Sequence, residues 1–121
     1  MISIRTDEAS AFDLLSILQI KAVHGLQVLQ SIDQLEGDIM AGIGFGNFSD
    51  VASSDEYNSL WNANQRMWYI QEKAMRDECK ASDVDRQNQA RFHAKAALQK
   101  KFFNTELTEK KTVRPYEVEG K

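Results

Sequence analysis

Pro115 is the only proline in the chain. No earlier position therefore has a ring-locked φ or lacks an amide N–H, the two effects that stop a helix most abruptly. What remains to punctuate the chain is glycine, and the hydrophobic pattern between the glycines has helical rather than strand period.

From Asp7 to about Ala41 the sequence reads as one helix. Thr6 is placed to cap it, and Asp7 and Glu8 suit the positive end of its dipole. Ala11, Leu14, Leu15, Leu18, Ala22, Leu26, Leu29, Ile32, Ile39 and Met40 fall on one broad arc; Asp13, Ser16, Gln27, Ser31, Gln34 and Asp38 fall opposite. Lys21 is the only lysine or arginine between Asp7 and Asp50. A helix this apolar calls for contact on more than one side, either centrally in a bundle or against a second chain. Gly25 and Gly37 interrupt it, each a site for a bend or a close approach.

A second helix begins at Ser53, which with Glu56 has capping-box spacing. Tyr57, Leu60, Trp61, Asn64, Met67, Trp68, Gln71, Ala74, Met75 and Cys79 share its face. A break near Ser82 starts a third, with the stripe Phe92, Lys95, Ala96, Leu98, Gln99, Phe102, Phe103 and Leu107. The expected fold class is all-α: an antiparallel helical hairpin or a three-helix bundle with long helices, with oligomerisation able to complete it. An unbroken helix over residues 54–111 is the alternative, and would require a partner subunit. Residues 1–121 read as one helical domain, with 1–6 a short arm and 112–121 a flexible tail.

The stretch IMAGIGFGNFSD, from Ile39 to Asp50, carries glycines at alternate positions. A phosphate-binding loop would need GxxxxGK[ST], or GxGxxG between a strand and a helix. Neither context is present, so Gly42, Gly44 and Gly46 read as a structural turn.

The remaining candidates are sparse. Cys79 is alone, which excludes an internal disulfide and favours a cytoplasmic or otherwise intracellular setting. Met1 to Ser10 carries Asp7 and Glu8 where a leader would be basic. No run of 18 apolar residues exists to span a membrane. His24 and His93 have no metal-motif spacing. No catalytic constellation, metal site or cofactor site is visible, and the expectation is a protein that is not an enzyme. Net charge is −3 but uneven, with seven acids against two bases in residues 1–50 and eight bases against four acids in 91–121. The basic residues of that last segment spread around the helical wheel, which points away from nucleic acid.

Lys21 and Glu36 lie near the apolar arc, where a charge needs a partner. Trp61 and Trp68 project together one heptad apart, with Tyr69 beside them. These five are the candidate interface residues, because aromatic groups concentrate at binding hot spots. The function expected is a helical interaction or structural subunit that associates with itself or with another helical protein. The alternative is a small-ligand-binding bundle using the glycine-aromatic loop and the tryptophan face.

Overall fold

The computed structural model describes residues 7–107. The arm expected at 1–6 and the tail expected at 112–121 lie outside them. The described residues form five helices and no strand: α1 (Glu8–Val23), α2 (Leu29–Ile43), α3 (Phe45–Ala52), α4 (Asp55–Met75) and α5 (Ala81–Phe103).

The segmentation corrects the sequence reading in three places, one of them the short α3, which with the end of α2 takes Gly46 and Gly42 out of the expected glycine turn and leaves only Gly44 between helices. The helix expected from Asp7 to Ala41 is two helices, separated by a turn at residues 24–28 in which Gly25 takes φ 88°. Glycine enters this left-handed region without the steric cost other residues meet. The third helix begins after a turn at Arg76–Lys80 rather than at Ser82, with Asp77 at φ 59°. Between these turns the residues the sequence placed on apolar stripes do form helices, and the unbroken helix over 54–111 is not formed.

Side-chain hydrogen bonds mark the starts of α1, α4 and α5. Ser54 Oγ accepts from the Tyr57 N–H at 3.0 Å, one residue later than the expected Ser53 cap. Ser53 Oγ instead donates back to the Ser49 carbonyl at 2.8 Å, closing α3. At α5 the Lys80 N–H donates to Asp83 Oδ2 at 3.0 Å. That backbone bond, then Arg86 at 3.1 Å, holds the Asp83 carboxyl below its usual range. The start of α1 is capped from afar: Gln99 Oε1 accepts from the Ala9 N–H at 2.8 Å, while Gln99 Nε2 donates to Glu8 and Thr105.

Contacts along the helices fix their directions. The first residues of α1 and the last of α2 line one cavity, so α1 and α2 are antiparallel. Phe12 meets Tyr57 while His24 meets Trp68, so α1 and α4 run parallel. Glu56 bonds Lys101 and Arg66 bonds Gln87, so α4 and α5 are antiparallel. A parallel α1–α4 pair needs a return crossing, and α2 with the short α3 supplies it. α1 thus packs against α2, α4 and α5 together. Phe12, Leu15, Leu60 and Leu98 form the sealed centre of the core, with Phe48 stacked on Phe12 at 5.8 Å.

Because α1 is covered on several sides, its polar face is buried as well. Asp13 and Ser16, expected to face solvent, are buried, whereas Leu14 on the apolar arc is half exposed. Leu26 and Leu29 are exposed too, since the chain turns before either can continue the arc of α1.

Candidate functional site

The buried polar face of α1 is satisfied by groups from α4 and α5. Arg91 grips Asp13 with two nitrogens, Nε at 3.2 Å and Nη2 at 2.6 Å, and Lys95 Nζ lies 3.7 Å from the same carboxylate. Asn64 Nδ2 donates to Asp13 Oδ1 at 2.8 Å and to Ser16 Oγ at 2.7 Å. Ser16 Oγ donates to the Asp13 carbonyl at 2.7 Å. Such a cluster demands one register among three helices, because a one-turn slip would strand charges out of water. Its carboxylate is fully engaged, which suits a positioning role.

Two concavities are lined by the candidate residues, and the smaller also takes Asn64 and Arg91 of this cluster into its wall. The larger, about 650 Å³, lies among α1, α2, α3 and α4, between Phe48 and Trp61. At its wall Gln19 Oε1 accepts from both Tyr57 Oη, at 2.8 Å, and Trp61 Nε1, at 3.1 Å. Glu36 also lines it, brought there by the α2 stripe of Ile32, Leu35, Ile39 and Ile43 that packs toward the core. The Tyr57 phenol is pushed well above its ordinary pKa by burial, with the negative charges of Glu36 and Asp13 adding to the effect. The second concavity, about 270 Å³, lies among α1, α4 and α5, where Lys21, Trp68 and Arg91 line it.

Beyond the second concavity, an apolar corner is exposed. Trp61, Trp68 and Met75 succeed one another on α4 at heptad spacing. Trp61 bonds Gln19 of α1, and Trp68 stacks on His24 just past the end of α1, at 4.4 Å and 9°. Met75, one heptad further, has run out of α1 and is 87% exposed. Tyr69 stands edge-on to His24 at 5.9 Å, and Val23, Leu26 and Leu29 expose their side chains around the same turn.

The candidate residues thus separate. Trp68 and Tyr69 meet at His24, Trp61 and Glu36 line the larger groove, and Lys21 lines the smaller cavity together with Trp68. Of the glycines, Gly44 lies between two helices with φ 92°, whereas Gly42 is within α2 and Gly46 within α3. Cys79 sits in the α4–α5 turn, half-buried, its Sγ 3.5 Å from the Ile70 carbonyl. His93 stands edge-on to Phe92, remote in sequence and in contacts from His24. Among the described residues no group of three His, Cys, Asp or Glu is placed to hold a metal ion, and no helix is long and apolar enough to cross a membrane.

The sequence reading missed Asp13 as an organising residue. The usable signal was on the other side: Asn64, Lys95 and Gln99 all sit on apolar stripes, where polar groups need buried partners. No protein family, curated protein or solved structure matches the chain.

Proposed function

We propose that this protein is a non-enzymatic helical interaction or structural subunit that self-associates through the corner formed by the end of α1, the α1–α2 turn and the C-terminal half of α4. The observation that carries this reading is the stripe on α4 that outlasts its partner: Met75 is exposed in register with two half-buried tryptophans that contact α1 and the turn after it. Val23, Leu26, Leu29 and Tyr69 widen it into a patch of the kind that marks contact surfaces. In this reading α1, α4 and α5 act as a three-helix unit, and a second copy covers the corner that α1 leaves open. An intracellular setting belongs to the same reading and rests on the lone cysteine.

Sedimentation equilibrium across micromolar concentrations tests it. The expected result is a reversible dimer or larger assembly, reduced to monomer in a Leu29→Glu, Met75→Glu double variant that keeps its melting temperature. A wild-type chain that stays monomeric throughout defeats the proposal.

The larger groove favours a second reading, a site for a flat aromatic molecule between Phe48 and Trp61, with Gln19 and Glu36 as its polar wall. Indole is a suitable probe. It should perturb NMR signals of Phe48 and Trp61 saturably, and unchanged spectra at millimolar indole would end this reading.

A further inference from the structure

The larger groove carries one sign of charge. Glu36 from α2 and Asp55 from α4 line it, and no lysine, arginine or histidine does. The sequence arranges this on the walls from α1, α2 and α3. Lys21 is the only lysine or arginine between Asp7 and Asp50, and it lines the smaller cavity instead.

Glu36 is the charge that the fold leaves unanswered. It is half-buried, and among the described residues it makes no hydrogen bond and no ion pair. Its place beside the aromatic wall is fixed through Tyr57, because its negative charge helps raise the pKa of that phenol. Tyr57 Oη lies 2.8 Å from Gln19 Oε1, and Trp61 Nε1 lies 3.1 Å from the same oxygen. Carboxylate, phenol and indole therefore gather at one wall, and all three residues line the groove. A carboxylate held partly out of water gains most from a cation.

The donors at this wall are already engaged. Tyr57 Oη and Trp61 Nε1 both give their hydrogens to Gln19, so neither is left for an anion. The first turn of α4 also opens here. Its Tyr57 N–H is answered by Ser54 Oγ, and Asp55 supplies the negative charge that a helix start favours.

Resting on the reading of this groove as a site for a flat aromatic molecule, we propose that its ligand is an aromatic ammonium, with the cation paired to Glu36 and the ring between Phe48 and Trp61. A neutral ring would leave Glu36 without a partner. A carboxylate ligand would meet two like charges and no base in the lining. Aromatic walls add to the preference, because ring faces attract ammonium groups. The volume of about 650 Å³ equals roughly twenty waters' share of liquid, room for a two-ring amine with water left around it.

Tryptamine, indole and indole-3-acetate share one ring system and differ in charge at pH 7. Each is titrated into the full chain while proton–nitrogen NMR follows the indole N–H signals. Trp61→Phe assigns the Trp61 signal by its loss, and Trp68, which lines the other cavity, is the reference. Tryptamine should shift the Trp61 signal saturably and bind about tenfold more tightly than indole, the gain of one charge-assisted contact. Indole-3-acetate should bind more weakly than indole. Glu36→Gln should remove most of the advantage of tryptamine and leave the affinity for indole unchanged; Glu36→Ala serves if that variant does not fold. Equal affinities for tryptamine and indole overturn the ammonium proposal and leave the groove reading standing. A Trp61 signal unmoved by millimolar indole and tryptamine alike ends both. An undiminished advantage in folded Glu36→Gln also overturns the proposal, since the net charge of −3 would then account for it. Equal shifts at Trp61 and Trp68 report unspecific binding and overturn it too.

Discussion

At the scale of single residues, Asp13 carries more of the specificity of this fold than any apolar group of similar size. Its carboxylate answers Arg91, Lys95 and Asn64 from two other helices. Asp13→Ala removes the buried carboxylate that Arg91 and Asn64 bond and that Lys95 faces, and should destabilise the chain by about 3–5 kcal/mol, read as a lower urea midpoint at unchanged slope. The residue was not legible because a helical wheel sorts by type, and an aspartate opposite a leucine arc sorts to solvent. Its partners lie 51, 78 and 82 positions away, beyond any local pattern. Tyr57 gives a second test at this scale. Burial and the nearby carboxylates raise its pKa above the ordinary 10.0, so the folded chain stays neutral where the unfolded chain ionises. The stability this represents is fully present below about pH 10 and is lost as pH rises from there through the raised value. Urea midpoints measured across alkaline pH should fall accordingly, and Glu36→Gln, which removes one of the repelling charges, should make that fall shallower.

At the scale of elements, helix content was legible and helix ends were less so. The α4 stripe and its serine cap could be read because spacing and capping are local, and the cap differed by one position. The turn after α1 could not, since Gly25 fits a helix at modest cost and only tertiary packing decides that it bends. The glycine-rich stretch separates the two kinds of glycine in one experiment. Gly44 has φ 92° and ψ 153°, a region open to little but glycine, so Gly44→Ala should cost about 1–3 kcal/mol. Gly37, inside α2, has open space where a Cβ would stand, and Gly37→Ala should raise stability by roughly 0.5–1 kcal/mol. Gly42→Ala, also helical with open space, should cause no loss. Thermal unfolding of the three variants side by side checks the order, and a large loss in Gly42→Ala would return the turn to the position the sequence suggested.

At the scale of the whole molecule, the uneven arrangement of apolar surface follows from element lengths. α1 has 16 residues and α4 has 21, and the two run parallel from nearly the same level, so the longer helix projects past the shorter. The sequence could not show this because it offered one long first helix, which would have covered α4 to its end. The same packing places the start of α1 beside the end of α5: the Ala9 N–H is answered by Gln99, ninety positions later. During synthesis at about 5–20 residues per second, Ala9 joins the chain roughly 5–18 seconds before Gln99 does. The start of α1 is therefore made well before the residue that caps it. The interval in which the nascent chain most needs shielding is set by the distance between those two residues and by the pace of translation.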